Sequence, residues 1–96
     1  MTLEELRQYK PQILALAEQY GVENIRVFGS VARGDADEDS DVDLMIHTTE
    51  KCKGFDFITF KQSLEGLLKR SVDLVEVEFV KNRLRKKYML EDVVPL

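Results

Sequence analysis

Between Asp35 and Asp43 the chain carries six carboxylates: Asp35, Asp37, Glu38, Asp39, Asp41 and Asp43. The last two fall inside an alternating run, in which Val42, Leu44 and Ile46 interleave with Asp41, Asp43 and Met45. Alternation of this kind predicts a β-strand with its apolar residues on the core face. Residues two apart on a strand share a face, so Asp41 and Asp43 project together, about 7 Å apart at the backbone. Two unpaired carboxylates this close repel one another, and one pKa rises unless a cation sits between them. A divalent metal supplies a reason for the pair. Mg²⁺ is hard, prefers oxygen, and is commonly held by one or two carboxylates together with substrate phosphates. Two such ions can clamp the attacking and leaving oxygens of a phosphoryl displacement.

Upstream, Phe28-Gly29-Ser30 closes a short apolar run, "NIRVF", and opens a helical turn, "SVARG". The free N–H groups of such a turn point at anions. Gly29 lets a phosphate approach the backbone, Ser30 adds a hydroxyl donor, and Arg33 lies one turn further on, within reach of the same phosphates or of the acidic loop. For this turn to meet Asp41 and Asp43, the strand ending at Phe28 and the strand beginning at Asp41 must run antiparallel. A third carboxylate, Asp73, lies near the start of "SVDLVEV". It joins the same place if that strand runs parallel to the second, with a helix as crossover. Glu76 falls on the opposite face from Asp73, and Glu78 falls outside the strand.

Competing readings exist for these residues. Asp35, Asp37, Glu38 and Asp39 read most simply as a solvated acidic loop. A calcium loop is a sharper rival, because the aspartates from Asp35 to Asp43 alternate. Ser40 stands where such a loop needs its turn glycine, however, and Ile46 where it needs its closing glutamate. His47, with no visible partner, reads as a strand-end residue. Cys52 reads as ordinary packing or surface, and Tyr20 and Tyr88 as helix packing. Lys69 and Arg70 precede the third strand and could face the mouth of the site.

The elements that position these groups follow from periodicity and caps. Thr2 and Glu5 form a capping-box pattern. Pro11 requires a break or restart with proline in the first turn. The helix that contains Ile13, Leu14, Leu16 and Ala17 ends at Gly21. Strands are expected at Asn24–Phe28, Asp41–His47 and Ser71–Val77. Phe57, Phe60, Leu64, Leu67 and Leu68 mark an amphipathic helix over about 56–69. Val80, Leu84 and Tyr88, four apart, place the basic segment "KNRLRKK" on a last helix with one apolar stripe. That basic helix is a solvated face, or a contact for nucleotide phosphates or for an acidic partner protein. The fold class is α/β (α+β), a mixed β-sheet packed with helices in the order α-β-α-β-α-β-α.

With 96 residues the chain suits one domain, residues 1–96. The apolar share of 44% and charged share of 33% are those of a folded protein. No apolar run approaches a membrane span, and the N-terminus has no signal-peptide core. The single cysteine, Cys52, allows no internal disulfide and points to a reducing cytoplasm. A net charge of −4 disfavours direct nucleic-acid binding, although acid and base are segregated into two patches.

Gly29-Ser30, ten residues, then Asp41-Val42-Asp43 resembles the GS…DxD signature of the polymerase-β-like nucleotidyltransferase superfamily. The fuller run "FGSVARGDADEDSDVDLMI" is similar to its minimal nucleotidyltransferase group. The resemblance covers the leading helix, the signature, the crossover helix and the "VDLV" strand. It implies a nucleotidyltransferase-type sandwich in which Ser30 binds nucleotide phosphates and Asp41 and Asp43 hold Mg²⁺. Asp73 would be the third carboxylate, activating the acceptor hydroxyl as general base or through the metal. It further implies transfer of AMP from ATP to a tyrosine of a HEPN-domain ribonuclease toxin, with this chain as the antitoxin in a hetero-complex. An antitoxin that acts by contact alone and a small-molecule nucleotidyltransferase are the alternatives.

Overall fold

A computed structural model describes residues 1–96. The elements are α1 (Leu3–Gln8), α2 (Lys10–Tyr20), β1 (Val22–Phe28), α3 (Gly29–Arg33), β2 (Val42–Thr48), α4 (Asp56–Leu68), β3 (Val72–Glu76), α5 (Arg83–Glu91) and β4 (Val94–Pro95), with a 3-10 turn at Val77–Phe79. Thr2 caps α1, its hydroxyl accepting from the Glu5 amide at 3.0 Å. The helix breaks at Tyr9, and α2 restarts with proline in its first turn, as the sequence requires. Gly21, at φ +73, closes α2 in the left-handed region.

The four strands form one sheet in the order β3-β2-β1-β4. β1 runs antiparallel to β2, with Phe28 opposite Asp43. β2 runs parallel to β3, with Asp43 opposite Asp73. These are the two orientations that convergence of Ser30, Asp43 and Asp73 demands. The expected element order holds, with the first helix split before Pro11 as anticipated and one strand added. β1 begins at Val22 rather than Asn24, because its first residues already pair with the end of β2, Val22 against Thr48. β4 pairs with β1 through Pro95 and Val94. Arg7 fixes that segment by donating to the Pro95 carbonyl at 2.7 Å and the Leu96 carbonyl at 3.2 Å.

The two sheet faces are covered unequally. Val27, Val42, Leu44, Ile46, Val72 and Leu74 face the main core, where they pack against Leu6, Ile13, Ala17, Phe60, Leu64 and Leu68 of the helices. The opposite face carries a smaller cluster of Phe28, Met45, Val77 and Met89. Asp43 and Asp73 share parity with Met45 and therefore stand on this thinner side.

The last helix differs from its expected form. Val77 belongs to a 3-10 turn rather than to β3, and α5 begins only at Arg83. Asn82 caps it, accepting from the amides of Leu84 at 3.0 Å and Arg85 at 3.1 Å. Met89 is the residue that α5 buries, while Leu84 and Tyr88 are 60% and 61% exposed. The four-residue spacing located the helix correctly but chose the wrong face. Met89 is one position, or about 100°, beyond the Leu84–Tyr88 row. No helix is long and apolar enough to cross a membrane.

Candidate active site

Asp43 lies at the centre of the site. It sits on β2 between β1 and β3, directly opposite Phe28 on one side and Asp73 on the other. Asp41 stands just before β2, two residues back, and like Asp73 it is exposed. Burial first, then the charges of Asp73 and Asp41, push the Asp43 carboxyl from its ordinary 3.8 to about 6. Arg33 acts in the opposite sense and is the only cation that moderates it. The repulsion expected for Asp41 and Asp43 is therefore present, and Asp73 adds to it. Side-chain contact does not gather three carboxylates into a ready-made cation cage.

Gly29 closes the other side of Asp43. Its φ of +72 lies in the left-handed region, and a Cβ there would fall on the Asp43 carboxylate, 2.9 Å from Cγ. The glycine is required because a carboxylate occupies the space a side chain would need, as well as for the turn itself. Gly29, Ser30, Arg33 and Asp43 line one hollow of about 340 Å³, roofed by Tyr88 and Met89 of α5. α3 ends at Gly34, whose amide donates to the Ser30 carbonyl at 3.0 Å, as does the Asp35 amide.

Arg33 stands at the mouth of this hollow and is engaged on both sides. It reaches Asp35 at 3.3 Å and Asp92 at 3.5 Å. The Asp35 hydrogen bond and charge, with a smaller share from Asp92, raise its pKa further. Of the two roles expected for Arg33, the structure forms the brace to the acidic loop and leaves the side chain beside the hollow. Asp92 ties the end of α5 to α3, a link that 58 intervening residues hide from local sequence pattern.

Within the acidic loop, Asp37 is bonded locally. The Asp37 carboxylate accepts from the Asp39 amide at 2.9 Å and from the Ser40 hydroxyl at 3.0 Å. These bonds hold it below the usual carboxylate range. Arg70 donates to the Glu38 carbonyl at 3.0 Å. Together with Lys69 it lines a second hollow of about 410 Å³ that Asp41 also borders. Glu76 is buried on the core-side parity, away from Asp73. Its carboxylate accepts from the Thr48 amide at 2.6 Å and the Glu78 amide at 3.2 Å, which closes the end of the β2–β3 pair. His47 does have a partner, since the Asn24 amide lies 2.9 Å from its Nδ1. Tyr20 packs on Phe60, ring centroids 6.4 Å apart.

Asp73 borders a third and larger space, a groove of about 890 Å³ beside β3. Phe57, Phe79, Val80, Lys81 and Arg85 contribute to its walls. No local sequence pattern marks this groove. Its walls come from the 3-10 turn and the start of α5, where strand and helix boundaries were displaced.

Comparison with known proteins gives a consistent answer. Residues 11–94 match the family described as polymerase beta, nucleotidyltransferase. The protein adenylyltransferase MntA of Thermococcus cleftensis is 39% identical over 97 residues, covering 97% of this chain and 95% of the relative. A Methanocaldococcus jannaschii protein, provisionally named a protein adenylyltransferase, is 35% identical, covering 95% and 90%. A solved structure provisionally named a minimal nucleotidyltransferase superposes with a TM-score of 0.83 at 42% identity, covering 100% of this chain and 97% of that one. A toxin–antitoxin crystal structure with AMP-PNP shares the fold, with a TM-score of 0.72 at 19% identity, covering 90% and 70%.

Proposed function

The chain belongs to the polymerase beta nucleotidyltransferase family, and from that premise we propose that it transfers AMP from ATP to a hydroxyl of a partner protein. The acceptor we propose is a tyrosine of a HEPN-domain ribonuclease toxin, which makes this chain its antitoxin. The observation that carries the reading is the placement of Asp43 between the Gly29–Ser30 turn and Asp73, with Asp41 two residues away. The identity with protein adenylyltransferase MntA over nearly the whole chain supports the protein-directed form of the reaction.

The donor set fits a hard divalent cation. Asp41, Asp43 and Asp73 offer only oxygen, and the half-buried Asp43 stands directly opposite Asp73 with Asp41 two residues away, so three like charges share one place. In this reading Asp41 and Asp43, with Asp73, hold Mg²⁺, two ions in all. Bound there, Mg²⁺ supplies the neutralisation that lets polyphosphate approach carboxylates. The chain's own groups do the rest. Ser30 donates its hydroxyl to a phosphate oxygen. Arg33, already at the mouth of the hollow, exchanges Asp35 and Asp92 for phosphate. Asp73 orients the acceptor hydroxyl and takes its proton. A bond forms between the acceptor oxygen and the α-phosphorus, the bond to pyrophosphate breaks, and pyrophosphate leaves with its electron pair.

A reducing cytoplasm is the proposed setting, with Cys52 free. The reading is tested by incubating the purified chain with ATP, Mg²⁺ and its toxin, then measuring the toxin's intact mass and mapping the modified residue. Addition of AMP at a tyrosine is the expected result. Neutralisation of the toxin with no change in mass would assign the chain to antitoxins that act by contact.

A further inference from the structure

β3 is the edge strand of the sheet and pairs with β2 alone. The Val42 amide donates to the Ser71 carbonyl, which turns the Ser71 carbonyl inward. The Val72 amide points the other way and is met by the Glu65 carboxylate at 3.0 Å. In a parallel ladder the direction alternates residue by residue, so the amide and carbonyl of Leu74 also face outward. They open into the 890 Å³ groove, whose lining includes Asp73, Leu74, Val75 and Glu76. An open strand edge is a template for another strand.

The walls of the groove define what would fit. Phe57 and Phe79 are apolar, and Phe79 is 74% exposed, an uncommon state for a large aromatic side chain. Lys81 and Arg85 line the same groove and have no salt-bridge partner. They belong to the basic segment of five cations between Lys81 and Lys87 in a chain whose net charge is −4. The length of edge from Asp73 to Glu76 accommodates about three to four paired residues at roughly 3.3 Å each. Asp73 borders the groove at the first of these residues.

We propose that the acceptor protein docks here by an extended segment of acidic and apolar residues, which adds as a fifth strand to the outer edge of β3 between Phe57, Phe79, Lys81 and Arg85 and so delivers its hydroxyl to Asp73. This inference rests on the proposed transferase reading for the role of Asp73, but the docking itself needs neither ATP nor metal. The basic start of α5 thereby selects acidic segments, and the open edge selects extended ones. A helix would leave the Leu74 amide and carbonyl unpaired.

The test uses fluorescent peptide probes and the full chain, without nucleotide. The first probe alternates glutamate and valine around one tyrosine. The second has lysine for glutamate. The third is the acidic peptide methylated at alternate backbone nitrogens. Fluorescence anisotropy should show the acidic probe binding at least about tenfold more tightly than the other two. K81E/R85E should remove or invert the charge preference. K86E/K87E changes net charge equally but lies outside the groove, and should leave the preference in place. The acidic probe should also slow alkylation of Cys52, which lines the groove. The proposal is overturned by a preference that survives K81E/R85E, by indifference to backbone methylation, or by sedimentation showing a dimer of the chain that K81E/R85E dissociates. AMP transfer to a protein acceptor that ignores K81E/R85E would overturn the docking while leaving the proposed function intact.

Discussion

Gly29 and Asp43 are packed so closely that the glycine has no room for a side chain: a Cβ at Gly29 would strike the Asp43 carboxylate. The signature glycine and the signature aspartate are therefore one steric unit, 14 positions apart in sequence and brought together where the β1–β2 ladder ends with Phe28 opposite Asp43. G29A combines a left-handed φ with that collision. It should destabilise the fold by about 2–4 kcal/mol and displace Asp43. G34A shares the positive φ, but a Cβ there meets nothing within 4 Å. It should cost about 1–2 kcal/mol and spare activity. Urea unfolding of the two variants compares them directly, and equal losses would contradict the steric account.

Asp43 should also make stability depend on pH. Its carboxyl is raised from 3.8 to about 6 in the folded chain. Between those values the folded protein keeps a proton that the unfolded chain has lost, so stability falls as pH rises through this window. Above about pH 6 the ionised carboxylate is a constant cost. Discounted for its partial exposure, that cost is about 1–2 kcal/mol. Without metal, D43N should therefore melt several degrees higher than the parent at pH 8, with the gap closing near pH 4. A gap that does not change with pH would refute the electrostatic explanation.

Glu76 tests the structural carboxylate against the functional ones. Its two amide partners, Thr48 and Glu78, are left without an acceptor in E76A. The expected loss is about 1–3 kcal/mol. E76Q keeps a carbonyl acceptor and should lose less. Thermal melts of both variants measure this, and E76A as stable as the parent would contradict it.

Arg33 is placed to exchange partners. With about half of its side chain exposed, its bonds to Asp35 and Asp92 are solvent-screened and should add little to stability. R33A should therefore melt close to the parent yet raise the KM for ATP about tenfold. An unchanged KM would confine Arg33 to bracing the acidic loop.

The parts of this molecule that were legible in the sequence are those written locally. The alternation through Asp41 and Asp43 gave both the strand and its faces. The need for Ser30, Asp43 and Asp73 to meet gave the two strand orientations that the sheet adopts. What stayed hidden depends on distant contacts or on a helix's rotation. Tyr88 follows the four-residue rhythm of a buried stripe, but α5 turns Met89 inward instead. The Arg33–Asp92 link has no local pattern. β4 is two residues long and includes a proline, so no periodicity announces it. The groove beside β3 exists only because the chain leaves the strand through a 3-10 turn and restarts as a helix at Arg83, capped by Asn82.

Single-turnover AMP transfer by the parent, D41N and D43N, with each fold checked by its melting curve, tests the central claim most directly. Both variants should remain folded, D43N the more stable without metal, and both should lose at least about a thousandfold in rate. Transfer at the parental rate by either folded variant would contradict it.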